Sequence, residues 1–184
     1  DENLAIEVRA LDVTDPASVL TGIGDPLEVD VLINNAGFEV EGAIEQIDDD
    51  HMWRQLDTNL MGPLRTIRAV IPAWQSRGSG VIVNVSSIAG RVGAPYMGAY
   101  AASKFGLEAV SESLHFEVAQ RGIRVHLIEP GRFATNFGDS REHPPGWIGS
   151  QQEKRAEAFR VASAGIGSDS EPADAQEVAD AIAR

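Results

Sequence analysis

The chain has 184 residues, 43% hydrophobic and 23% charged, with a formal net charge of -13, which suits one soluble globular domain with a substantial core. Lys and Arg are scattered, so the acidic excess argues against nucleic acid and anionic membranes as partners. The lack of cysteine excludes disulfides, thiolate nucleophiles and Cys-based metal sites, and cytoplasmic location is the expectation that accompanies it.

No apolar run approaches the ~18 to 20 residues of a membrane span, and the acidic start Asp1-Glu2-Asn3 is unlike a signal peptide. Short β-branched runs alternate with longer helical patterns, which predicts an α/β fold with a parallel sheet and crossover helices. Strands are expected over Leu4 to Leu11, Val29 to Ile33, Gly80 to Val85 and Ile123 to Ile128. The last three are near-continuous apolar runs, the pattern of strands buried on both faces, whereas the first alternates and suits an edge. Asp15 to Thr21 predicts a short helix with Pro16 in its first turn. Gly22-Ile23-Gly24 reads as the end of that helix and a loop.

Asp49 to Arg77 predicts one long helix, with Leu56, Leu60, Leu64, Ile67, Ile71 and Trp74 recurring at helical spacing. The Asp48-Asp49-Asp50 cluster stands where acids complement a helix N-terminus, which favours capping over a metal. A further helix, Met97 to Arg121, carries the stripe Leu107, Val110, Leu114 and Val118, with small residues Ala101, Ala102, Gly106 and Ala109. Residues 132–170, with Pro144-Pro145-Gly146, read as a partly helical insertion into a single domain over 1–184. A last helix is expected from Glu171 to Arg184, introduced by Pro172. The histidines at 51, 115, 126 and 143 show no metal-binding spacing.

The chemistry gathers at Tyr100-Ala101-Ala102-Ser103-Lys104, which comes after Ser87 at the end of an expected strand. Positions i and i+4 share a helix face, so Tyr100 and Lys104 can address one cleft. A neighbouring cation favours the ionised phenol, which makes the lysine a tuner of acid–base chemistry, with the Ser87 hydroxyl available to hold a substrate oxygen. Ligands of open α/β sheets bind beyond the carboxyl ends of the strands. Asn34-Asn35-Ala36-Gly37, Ser86-Ser87 and Pro130-Gly131 all fall there. Asn59 adds a further signal: Pro63, four residues on, has no N–H for its carbonyl. A water at that carbonyl could link Lys104 to solvent.

In order and approximate spacing, Asp12-Val13, Asn34-Asn35-Ala36-Gly37, Asn59, Ser87, Tyr100 with Lys104, and Pro130-Gly131 with Thr135 resemble the short-chain dehydrogenases/reductases. The likeness is strong from about Leu4 to Thr135, and the stretches Ser87 to Arg91 and Glu129-Pro130-Gly131 look most like the steroid and retinol dehydrogenases. It implies a doubly wound, Rossmann-type parallel sheet and hydride transfer between NAD or NADP and an alcohol or ketone. By this resemblance Tyr100 is the acid/base, Lys104 holds the nicotinamide ribose, Ser87 binds the reacting oxygen and Asn59 completes the proton route. Asp12 and Val13 would meet the adenine, Asn35, Ala36 and Gly37 the adenosine ribose side, and Pro130, Gly131, Phe133 and Thr135 the carboxamide end. A homodimer or homotetramer through the two long helices is implied as well.

The resemblance is incomplete at the front, because the family's glycine-rich strand–turn–helix and the first βαβ unit do not occur in the sequence. A segment of a longer protein is therefore expected, and a non-catalytic nucleotide-binding regulator or an inactive fragment are the rival readings. Substrate selection is expected from Phe38 to Gly42, Gly90 to Met97 and Phe133 to about Ser163. Val92, Met97, Phe137 and Trp147 favour a bulky hydrophobic substrate, with Trp147 expected to pack the insertion.

Overall fold

The computed structural model describes residues 6–131, 133–164 and 173–183. The Asp15 carboxylate accepts the Ala17 N–H and Pro16 occupies the first turn, which starts helix α1 (Pro16–Ile23). Gly24, at φ 70°, closes it by donating its N–H to the Leu20 carbonyl. Gly22 to Gly24 are thus a helix end, as their position after a helix foretells. A 3-10 turn, Pro26–Glu28, then leads into β1 (Val31–Asn34).

Helix α2 (Asp49–Leu56) opens on Asp48, whose carboxylate accepts the His51 N–H, so the acidic triplet caps a helix. Helix α3 (Gly62–Arg77) comes next. Between them Asp57–Met61 widens into a π-turn, and the Gly62 N–H reaches back to the Asp57 carbonyl. This corrects the expectation of one regular helix from Asp49 to Arg77. The cause is Pro63, which cannot supply the N–H that a continuous α ladder would use.

Strand β2 (Gly80–Val85), a 3-10 turn (Ile88–Gly90), helix α4 (Gly98–Val118), a second turn (Ala119–Arg121) and strand β3 (Ile123–Ile128) complete the central unit. The strands form a parallel sheet in the order β1-β2-β3, with Asn34 opposite Asn84 and Val85 opposite Ile128.

Two strand expectations are corrected. Residues 4 and 5 lie outside the described residues, and 6–11 form no strand; Ile6 and Val8 are 77% and 89% exposed. A strand needs a partner for its ladder, and nothing among the described residues offers one. Strand β1 starts later than expected, and neither β1 nor β3 is buried on both faces: among the described residues only β2 flanks each, Val31 and Ile33 stay about half exposed, and Arg124 and His126 of β3 are exposed.

The main core joins Ile67, Val70 and Trp74 of α3 to Ile82 of β2, Val118 and Ile123. Burial of each such side chain contributes ~1.5–3 kcal/mol. The Trp74 indole also donates 2.8 Å to the Val29 carbonyl, so its polar end is satisfied. Of the expected insertion, Arg132 and 165–170 lie outside the described residues, as do Glu171, Pro172 and Arg184 of the expected last helix. The remainder holds β4 (Phe133–Ala134), a 3-10 turn (Asn136–Ser140), α5 (Gln151–Ala164), β5 (Ala173–Asp174) and α6 (Ala175–Ala183), with β4 and β5 paired in parallel. Trp147 packs this segment as expected. It forms a second small core with Ala43, Ala156 and Tyr96, and stacks on His143.

A β-carbon at Gly80 would drive into the Trp74 ring. Gly80→Ala should therefore cost ~1–3 kcal/mol through overpacking, measured as a lower urea midpoint at an unchanged slope.

Candidate active site

The three parallel strands end on one side, and the segments leaving β2 and β3 are tied to one another. The Ser86 N–H donates to the Ile128 carbonyl at 2.7 Å and the Ile88 N–H to the Pro130 carbonyl at 3.1 Å. These bonds align Ser86-Ser87 with Pro130-Gly131. The Ser87 hydroxyl accepts the Ala89 N–H at 3.1 Å, which caps the next turn and fixes the side chain at the sheet edge.

Helix α4 brings Tyr100 and Lys104 to the same place, and both are buried. The Lys104 ammonium donates to the Val85 carbonyl at 2.8 Å and lies 5.7 Å from the centre of the Tyr100 ring. The Ser87 hydroxyl is near enough to the Tyr100 phenol to pull its pKa downward. Phenol, hydroxyl and ammonium are thus together, as the spacing predicts. The Phe137 ring stands 5.8 Å from that of Tyr100 and forms an apolar wall beside it. Met97 is half-buried, whereas Val92 points mainly to solvent at 69% exposure.

The electrostatics depart from expectation. Burial raises the Tyr100 pKa above its ordinary value, the Ser87 hydrogen bond opposes it, and the Glu39 carboxylate adds to the rise. Desolvation therefore outweighs the influences that favour the ionised phenol, although the ammonium sits over the ring. Burial also brings Lys104 down to about 8, against an upward pull from Glu108.

Asn59, 1% exposed on the π-turn, is fully engaged through its side chain. Its Nδ2 donates to the Phe38 carbonyl at 2.9 Å and to Ser103 Oγ at 3.2 Å, and its Oδ1 accepts the Phe38 N–H at 3.2 Å. Ser103 in turn donates to the Tyr100 carbonyl at 2.7 Å. Gln55 adds a second pair of bonds, from the Val40 N–H at 2.6 Å and to the Phe38 carbonyl at 2.8 Å. The turn after β1 is thereby pinned to α2, the π-turn and α4. Gln55 and Ser103 are missed by sequence reasoning, because polar positions inside helical patterns carry no sign of their partners.

The expected dinucleotide positions have the following surroundings. Asp12 is exposed, and its carboxylate accepts the Thr14 N–H at 2.8 Å and hydroxyl at 2.7 Å, which lowers its pKa. The Val13 carbonyl accepts Arg65 at 3.1 Å. Asn35 and Ala36 are exposed, whereas Gly37 backs onto the Asn59 amide. Gly131 faces open space, Phe133 lies on β4, and Thr135 caps the turn leading to Phe137. A nicotinamide nucleotide fits the donors present at this edge. Lys104 spends one N–H on Val85, which leaves others for a ribose hydroxyl.

A second cluster lies beneath the insertion. Buried Glu39 pairs with Arg141 at 3.1 Å, and buried Glu41 with Arg141 at 3.5 Å and Arg160 at 3.1 Å. Backbone bonds between Glu41 and Glu142 and between Glu142 and Glu39 run alongside. Burial raises the Glu39 pKa, and Arg141 offsets part of the rise. Among the described residues no group of His, Asp and Glu could hold a metal ion, and no helix is long and apolar enough to cross a membrane.

Comparison with known proteins identifies the family of the chain. The short chain dehydrogenase family pattern matches residues 2–145. A 3-ketodihydrosphingosine reductase from Bacteroides thetaiotaomicron is 38% identical over 163 residues, which are 86% of this chain and 60% of that protein. Human retinol dehydrogenase 8 is 43% identical over 110 residues, covering 60% of this chain and 35% of its own. The structure of an NAD+-bound xylitol dehydrogenase superposes with a TM-score of 0.77 at 25% identity, over 95% of this chain and 70% of that one. The chain thus spans only part of the length of its relatives. Its residues, its parallel sheet and these matches agree: the chain belongs to the short-chain dehydrogenase/reductase family.

Proposed function

We propose that the protein carrying this chain is an NAD(P)-dependent oxidoreductase acting on an alcohol or ketone. The observation that carries the reading is the buried Lys104 ammonium held between the Val85 carbonyl and the ring of buried Tyr100, at the carboxyl end of the sheet where Ser87 lies. The nicotinamide cofactor supplies or accepts the hydride when bound. Ser87 holds the reacting oxygen, and Tyr100 gives that oxygen its proton in reduction or takes it in oxidation. Lys104 holds the nicotinamide ribose. Asn59 anchors the π-turn, and a water at its carbonyl relays protons between Lys104 and solvent. Asp12 and Val13 receive the adenine, Asn35, Ala36 and Gly37 the adenosine ribose, and Pro130, Gly131, Phe133 and Thr135 the carboxamide end.

A bulky hydrophobic substrate suits the apolar Phe137 beside Tyr100 and the half-buried Met97. Relatives named for retinol and for a keto compound support the alcohol/ketone class. Residues 133–164, held over the turn after β1, form the substrate-selecting part of the domain. Assembly as a homodimer or homotetramer is supported by exposed Trp53 on α2 and Phe105 and Phe116 on α4, and cytoplasmic location by the cysteine-free composition.

Tyr100→Phe in the full-length protein should abolish turnover and leave NADH or NADPH affinity within about twofold, because only the proton donor is removed. Turnover that survives the substitution refutes the acid–base role. Nucleotide binding without turnover in the unsubstituted protein would favour the regulator instead. A second outcome arises from burial of Lys104. Its folded pKa, about 8, lies below the unfolded amine, so a charged-state penalty is fully present below pH ~8 and is relieved as pH rises toward ~10.4. Thermal unfolding at pH 7 and pH 10 should show Lys104→Met losing ground to the unsubstituted protein as pH increases. A difference in Tm that is constant with pH would contradict this.

A further inference from the structure

Helix α4 carries Tyr100, Lys104 and Glu108 one turn apart, and all three are buried, Glu108 at 4% exposure. The first two are absorbed by the proposed reaction; Glu108 is not. Among the described residues neither of its carboxylate oxygens has a hydrogen-bond partner, although Arg91 approaches Oε2 to 3.2 Å as an ion pair. The Ser86 hydroxyl is also buried without a partner among them. Ser86 Oγ and Glu108 Oε1 lie 2.9 and 3.1 Å from the point that a β-carbon on Gly90 would occupy. The carboxylate therefore stands behind the end of β2, at the back of the segment whose next residue is Ser87.

A carboxylate in such a place is costly unless charge compensates it. Arg91 does so only in part. It is half exposed, and it also pairs with Glu129 at 2.9 Å and Glu112 at 3.4 Å. Lys104, one helical turn away and itself buried, is a second cation on this stretch of α4, where it meets the Val85 carbonyl and the Tyr100 ring. The two charges share the α4 face turned toward β2.

We propose that Glu108 is a positioning residue, an internal counter-charge that keeps the Lys104 ammonium protonated at the reaction site. The proposal rests on the dehydrogenase reading for its functional consequence, but the charge coupling stands without it. The groups involved are Tyr100, Lys104 and Glu108 on α4, Val85 and Ser86 from β2 and its end, and Arg91 from the next turn with its partners Glu112 and Glu129. Burial alone drives Lys104 toward neutrality, and Glu108 is the charge that resists it.

The test is an NMR titration of the Lys104 ε-methylene in the full-length protein, assigned through Lys104→Met and paired with a pH profile of kcat/KM. Glu108→Gln keeps shape while removing charge, and should lower the Lys104 midpoint by ~1 pH unit and move the alkaline limb of the profile down with it. Arg91→Ala removes a competing cation and should move the midpoint up. A purely structural Glu108 would change Tm and leave both midpoint and profile in place, which overturns the proposal. If Glu108→Gln fails to fold, Arg91→Ala decides: an upward shift supports the coupling, and an unchanged or lowered midpoint refutes it. Shifted midpoints in a protein without turnover would uphold the counter-charge and sink the dehydrogenase reading separately.

Discussion

Much of the molecule depends on a single line of buried polar side chains. The Thr66 hydroxyl meets Asn34 Oδ1 at 2.6 Å, Asn34 Nδ2 donates to Asn84 Oδ1 at 2.8 Å, and Asn84 Nδ2 donates to Ser111 Oγ at 2.8 Å. Ser111 ends the line on the Leu107 carbonyl at 2.6 Å. It therefore runs from α3 across β1 and β2 to α4. Asn34 and Asn84 are register partners, so a one-residue slip would turn an amide away from its mate and leave buried donors unsatisfied. Apolar packing alone would tolerate several sheet-to-helix offsets; this line permits one. Ser87 and Tyr100 depend on it, since the first lies just beyond β2 and the second begins α4.

The π-turn does similar work on the other flank. Asp57–Met61 breaks the regular ladder, and Asn59 at its middle joins the turn after β1 to Ser103 and so to the Tyr100 backbone. An irregular turn inside a long helix carries a local cost, offset here by a side chain whose polar atoms are all engaged. The resulting enclosure explains the charge balance of the site. Removal from water works against the ionised phenol and the ammonium alike. A tightly built cleft thus pushes the phenol pKa up and the ammonium pKa down.

How much of this was readable in the sequence depends on how far apart the cooperating residues lie. The caps at Asp15, Asp48 and Gly24, the apolar β2 and β3 runs and the Tyr100–Lys104 spacing are local signals, and local physics determined them. Pro63 foretold a disturbance at Asn59, though not its form as a π-turn. Leu4 to Leu11 misled because alternation describes what a strand could be, whereas a ladder also needs a neighbour. Val31 and Ile33 misled in the same way: apolar character implied cover that β1, flanked only by β2, does not have. Glu108 was hidden because a lone acid in a helix reads as solvent-facing unless its surroundings are known. The pairing of Glu39 with Arg141 spans 102 positions, far beyond any periodicity.

That last pairing has a mechanical consequence. The acids Glu39 and Glu41 belong to the turn that Asn59 and Gln55 immobilise, while Arg141 and Arg160 ride on the segment packed above it. Lifting the arginines by even a short distance would strand two carboxylates in a dry setting before water could reach them. Four charges thus fasten the segment over 141–160 to the turn after β1, so its seat is set by electrostatics as well as by the Trp147 core.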